Sequence, residues 1–144
     1  MPHIEKQAAI LAARSEVFAF LAERNNAPKL VPNLVRVWEI HPSEAGVGQN
    51  WKFEYRLLGI TFQGTAEMIA FQHGERLQFK TTGKLDSTWT YTVADDGEHC
   101  RVTIAVDYDL PDTLWAKVKD RVAYSRINEA QVEHLLTNLA AQFL

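Results

Sequence analysis

Residues 50–57 read Asn-Trp-Lys-Phe-Glu-Tyr-Arg-Leu. In an extended chain successive side chains point to opposite sides, so Trp51, Phe53, Tyr55 and Leu57 share one face. Asn50, Lys52, Glu54 and Arg56 share the other. This is the pattern of a strand with one buried face. Gly46–Gly48 supplies a turn before it and Leu58-Gly59 a turn after it. The period of two extends outward in both directions, beginning at residue 34. Residues 60–71 place Phe62, Gly64, Ala66 and Met68 on one face, and Leu77, Phe79 and Thr81 follow in the next strand. Trp89, Tyr91 and Val93 form another, and Asp95-Asp96-Gly97 is a strong hairpin signal. It leads into Cys100, Val102, Ile104, Val106 and Tyr108, which alternate with Arg101, Thr103 and Asp107. Short connections between successive strands specify an antiparallel meander.

The flanks read differently. Residues 3–11 resemble a strand whose alternation is weak. Ser15 then precedes Glu16, Val17, Phe18, Phe20 and Leu21, which reads as an N-cap followed by apolar residues at helical spacing. Asn25, Asn26 and Pro28 end that helix, and a second brief helical turn is expected over Pro28–Asn33. Pro111-Asp112 closes the sheet and opens a helical stretch to the C-terminus, with Leu114, Val118, Val122, Val132, Leu136, Leu139 and Phe143 on one stripe. That stretch is roughly 30 residues, or about 45 Å long at 1.5 Å per residue. An antiparallel sheet with one apolar face needs a cover, and this helix is the only candidate large enough. The expected fold is therefore α+β. A seven-stranded curved antiparallel sheet wraps around a long C-terminal helix, with two short helices after the first strand and space between sheet and helix. Residues 1–144 read as one domain.

Composition narrows the functional classes. With 144 residues and 47% hydrophobic content, the chain is long enough to bury a core. Its longest apolar runs fall far short of the roughly 20 residues a membrane span requires. Met-Pro-His-Ile-Glu-Lys lacks the apolar stretch of an export signal. A single cysteine, Cys100, permits no internal disulfide and fits a reducing compartment, so a cytoplasmic location is expected. A net charge of −3 without a Lys/Arg block argues against nucleic acid as the main partner.

The order of elements resembles the START-like, or helix-grip, superfamily typified by the birch-pollen allergen and lipid-transfer domains. Within it the chain is most similar to the bacterial polyketide cyclase/dehydrase and lipid-transport family. The residues that carry the resemblance are Ile10-Leu11-Ala12-Ala13 running into Ser15–Leu21, then Asn26–Pro32, the Gly46-Val47-Gly48 turn, and Val132 to Phe143 with Leu135-Leu136 and Leu139. The chain departs from the family pattern near Ala13, where a proline is usual, and near Leu30, where an aromatic is usual. The resemblance covers essentially the whole chain and implies a pocket more firmly than a reaction, since the family includes hydrophobic-ligand carriers, aromatase/cyclases and quinone-binding proteins.

Two features mark candidate site residues. The C-terminal stripe is interrupted between Val122 and Val132, where Ser125 and Glu129 stand at apolar positions, flanked by Asn128 and Arg121. An unpartnered carboxylate in a packed core costs roughly several kcal/mol, whereas a cavity holding water or ligand tolerates it. Either Ser125 and Glu129 touch the polar part of a ligand, or the helix breaks or overhangs the sheet and leaves them in solvent. The second feature is the aromatic load of the inward strand faces: Trp51, Phe53, Tyr55, Phe62, Phe79, Trp89 and Tyr91, with Met68, suit a flat, mostly apolar molecule.

Catalytic motifs are mostly absent. His3, His41, His73, His99 and His134 are far apart without metal-ligand spacing, and Cys100 cannot build a thiolate site. Neither a metal, a cofactor nor a catalytic residue is assigned. The leading expectation is binding or transport of a small hydrophobic or aromatic molecule, such as a lipid, quinone or polyketide. The alternative is an aromatase/cyclase or dehydratase in which Glu129 with Tyr55 or Tyr91 moves protons, or Arg56 if a bulge turns it inward. An interaction module is a third class, and homo-oligomer formation stays open.

Overall fold

The structure is a computed structural model that describes residues 3–83, 86–109 and 121–144, the side chains of 121–124 excepted. Its strands are β1 (His3–Ile10), β2 (Leu34–His41), β3 (Asn50–Leu57), β4 (Ile60–Gln72), β5 (Arg76–Gly83), β6 (Ser87–Asp96) and β7 (His99–Tyr108). They form one antiparallel sheet in the order β1-β7-β6-β5-β4-β3-β2. The chain thus meanders from β2 to β7, and β1 closes onto β7 at the far edge, with Ile4 opposite Val106 and Ile10 opposite Cys100. The expected seven-stranded meander is present, together with helix α1 (Arg14–Ala22), a 3-10 turn (Arg24–Asn26), helix α2 (Ala27–Leu30) and the C-terminal helix α3 (Arg121–Ala141).

Local chemistry explains the departures at the short helices. Ser15 is not the N-cap of α1; Ala13 holds that position without a side-chain hydrogen bond, and the helix begins at Arg14. What anchors α1 is burial of Val17, Phe18 and Leu21. Pro28 sits in the first turn of α2, where its missing N–H costs nothing. This helix stops at Leu30 rather than reaching Asn33, because Val31 precedes Pro32 and is held extended, at φ −81° and ψ 113°.

Strand β1 alternates weakly because its inward face carries Lys6 opposite Ile104. Lys6 spans to α3, where its Nζ lies 3.3 Å from Glu133 and 3.9 Å from Glu129. At the opposite edge β2 is irregular, with register shifts between Leu34 and Arg36 and between Trp38 and His41 and a positive φ of 51° at Glu39. In the centre, Gly64 faces Phe53 across the β3–β4 pair. A Cβ there would stand 2.8 Å from the Phe53 ring and 2.5 Å from the Thr82 carbonyl oxygen.

The core lies between the inward sheet face and the helices. It joins Phe18, Leu21, Phe62, Met68, Leu77, Ile104 and the α3 residues Val132, Leu135, Leu136 and Leu139. Asn138 of α3 donates to the Leu30 carbonyl at 2.9 Å, pinning α3 to α2. The 21 residues of α3 span about 31 Å at 1.5 Å each. Leu114, Val118 and the Pro111-Asp112 boundary lie outside the described residues, as does the side chain of Val122.

Candidate ligand-binding cavity

The sheet and helices do not fill the space between them. A cavity of about 90 Å³ remains, several times what one water molecule needs. Its sheet wall is aromatic: Trp51, Phe53 and Tyr55 from β3, Phe79 from β5, Trp89 and Tyr91 from β6, and Tyr108 from β7, the last not among the site residues expected from the sequence. Strand alternation brings these rings to one face, and antiparallel register sets Phe79 opposite Trp89 and Leu77 opposite Tyr91. Phe79 stacks on Trp89 with 6.2 Å between centroids and 5° between planes, and meets Trp51 and Tyr91 edge-on at 5.3 and 5.7 Å. The remaining walls come from Ala27 and Val31 near α2, Leu34 and Val37 of β2, Ile4 and Val106 at the β1 side, and Asn128, Gln131 and Val132 of α3.

One residue of this wall departs from its apolar surroundings. Arg24, in the 3-10 turn after α1, is 3% exposed. Its guanidinium carbon lies 5.1 Å from the Phe79 ring centroid, 5.4 Å from Trp51 and 5.8 Å from Tyr91. Three rings thus supply cation–π attraction, which strengthens where water is excluded. Nη2 donates to the Leu21 carbonyl at the end of α1, and the Tyr91 hydroxyl is a further hydrogen-bond partner. Nε has no partner, and no carboxylate forms an ion pair with Arg24 among the described residues. Burial pulls the guanidinium below its ordinary pKa, opposed by Tyr91 and by the charge of Glu23. Burial raises the Tyr91 phenol, and the positive charge of Arg24 acts against that rise.

Further polar groups stand on the walls. Thr81 and Ser87 hydroxyls lie 2.6 Å apart, and Trp89 Nε1 donates to Ser87 at 3.0 Å. On the helix side Tyr55 donates to Gln131 Oε1, which leaves Gln131 Nε2 buried without a partner. No histidine, aspartate or glutamate is among the described residues lining the cavity.

Of the residues singled out in the sequence, Trp51, Phe53, Tyr55, Phe79, Trp89 and Tyr91 meet around this space. Phe62 and Met68 are fully buried in the packed core and do not line it. Nor do Ser125 and Glu129, of which Glu129 instead faces Lys6 with a side chain 47% exposed. The reason lies in the two flanks of the α3 stripe. Glu129 and Gln131 are about 200° apart around the helix, so when one flank meets β1 the other meets the cavity. Asn128 and Gln131 occupy the cavity flank. Arg56 stays exposed on the outer sheet face. All five histidines are exposed, and Cys100 is buried, with burial raising its thiol pKa. No cluster of three His, Cys, Asp or Glu that could hold a metal occurs among the described residues.

Arg24 was not singled out in the sequence. The signal available was spacing: Val17, Leu21 and Arg24 stand at i, i+4 and i+7, so the arginine continues the buried face of α1.

A curved antiparallel sheet gripping a C-terminal helix, with an aromatic-walled cavity between them, is the helix-grip architecture of START-like proteins. The chain belongs to the polyketide cyclase/dehydrase and lipid transport family, whose sequence model matches residues 1–143. Its fold is similar to that of a protein from Thermus thermophilus (TM-score 0.81, 18% identity, 99% of this chain and 97% of that one). It is also similar to a START superfamily protein from Mycobacterium smegmatis (TM-score 0.77, 9% identity, 98% of this chain and 96% of that one). A third similar structure is the di-domain ARO/CYC StfQ of the steffimycin biosynthetic pathway (TM-score 0.75, 12% identity, 96% of this chain and 49% of that one). At these identities the likeness is one of fold. No curated protein matches the chain. No helix among the described residues is long and apolar enough to cross a membrane.

Proposed function

We propose that the protein binds a small, flat, mostly apolar molecule in the cavity between sheet and α3. The observation that carries this reading is the wall itself: among the described residues, seven aromatic side chains surround unfilled space beside a few polar groups. Affinity then comes from burying apolar ligand surface, and the polar groups set its orientation. Family membership supports a carrier or a cyclase equally. Between the two, the lining favours binding. Proton transfer in a cyclase or dehydratase needs a base near neutrality, and the described lining offers three phenols, Tyr55, Tyr91 and Tyr108, with neither imidazole nor carboxylate.

Titration with the neutral fluorophore 1-aminoanthracene tests the proposal. Saturable one-to-one binding is expected, and Val37→Phe, which projects a ring into the cavity, is expected to abolish it while the protein stays folded by circular dichroism. Absence of saturable binding to the native protein, or undiminished binding to folded Val37→Phe, overturns the reading.

A further inference from the structure

The buried charge of Arg24 has a chemical implication that an apolar pocket alone does not carry. A guanidinium removed from water is costly unless charge and hydrogen bonds compensate it. Here the compensation is incomplete. The direct partners of Arg24 are a carbonyl, a phenol and three π-systems, all formally neutral; the Glu23 carboxylate attracts it from beyond ion-pair distance, and Nε bonds to nothing among the described residues. The residue stands on the cavity wall among Trp51, Phe79 and Tyr91. On the same wall, Gln131 Nε2 is also a buried donor without a partner among the described residues. The unmatched groups therefore want acceptors, and one of them wants negative charge.

We infer that the ligand is an organic anion: a flat apolar body bearing a carboxylate-class group, seated against the Arg24 guanidinium. The rings of Trp51, Phe79 and Tyr91 pack its body while holding the arginine in place. The Tyr91 hydroxyl donates to the same oxygen or keeps the guanidinium oriented. At a buried guanidinium a charge-assisted hydrogen bond of this kind is worth more than at a surface. The class of molecule excluded is equally specific: a cation, or a lipid with only hydrocarbon at this end, leaves Arg24 uncompensated.

The inference rests on the cavity reading above, and one pair of isosteric probes separates the two. 2-Naphthoate and neutral 2-naphthamide have nearly the same shape and differ in charge. The native protein is expected to bind the carboxylate about 10- to 100-fold more tightly than the amide, the range of a buried charge-assisted hydrogen bond. Arg24→Met keeps the length and apolar contacts of the side chain, and it is expected to erase that preference by weakening the carboxylate alone. Equal binding of both probes to the native protein overturns the anion assignment and leaves the cavity reading intact. A preference that survives in folded Arg24→Met also overturns it. If neither probe binds while 1-aminoanthracene does, the anion assignment falls and the cavity reading stands; if none of the three binds, both fall. Should Arg24→Met fail to fold, the preference measured in the native protein decides alone.

Discussion

At the scale of single residues, Cys100 and Arg24 show how burial has opposite meanings for a neutral and a charged group. Cys100 is fully buried on the inward face of β7, and desolvation disfavours its thiolate, with the charge of Asp95 acting in the same direction. The thiolate is the reactive form. Native protein at mildly alkaline pH is therefore expected to resist iodoacetamide, with stoichiometric labelling only after unfolding in guanidinium chloride; rapid labelling of the native state would contradict the burial described. An inert core thiol is also what the strand pattern of residues 100–108 implies. Arg24 was far less legible. A charged residue following a helix is by default solvated, and only its spacing from Val17 and Leu21 marks it as inward. Nothing in the local sequence announces that Phe79 and Tyr91, more than fifty positions away, complete its surroundings.

Among the elements, the strands were legible because a period of two and short turns leave little choice of pairing. The α3 surface was legible only in part. Val132, Leu136 and Leu139 mark its buried stripe, but which flank borders β1 and which borders the cavity is a tertiary fact. Glu129 stands at an apolar position because Lys6 of β1 meets it, an ion pair between residues 123 positions apart. Gly64 shows the reverse dependence, where a strand interior normally weakened by glycine needs one. Phe53 and the Thr82 carbonyl occupy the space that a side chain would take. Gly64→Ala is expected to lower the unfolding free energy by about 1–3 kcal/mol, as overpacking does, read as a lower urea midpoint at unchanged slope. An unchanged midpoint would show that β4 and β5 separate without cost.

Over the whole molecule, closure of the sheet depends on its first strand finding its last. His3 of β1 hydrogen-bonds Asp107 of β7 at 2.6 Å across this seam. The Asp107 hydrogen bond, aided by attraction to Asp107 and Glu5, holds the imidazole above its ordinary pKa, with desolvation acting against it. Raised in the folded state, this pKa makes the pair's contribution fully present below the unfolded value of about 6.5 and lost as pH rises through the folded value. The urea midpoint of His3→Gln should therefore fall below that of the native protein at about pH 5 and converge with it in the alkaline range. A constant difference across pH would show that the imidazole charge is not involved. The group is exposed, so salt should diminish the effect.

The opposite margin of the sheet carries a different consequence. β2 shifts register twice along its length and turns Glu39 through a positive φ. A straight, regular edge would offer a row of unpaired N–H and C=O groups to any extended segment from another molecule. The kinked backbone of β2 breaks that row, and Arg36, Glu39 and Lys52 add charge beside it. The irregularity therefore discourages strand-by-strand growth into aggregates at the β2 edge of the sheet.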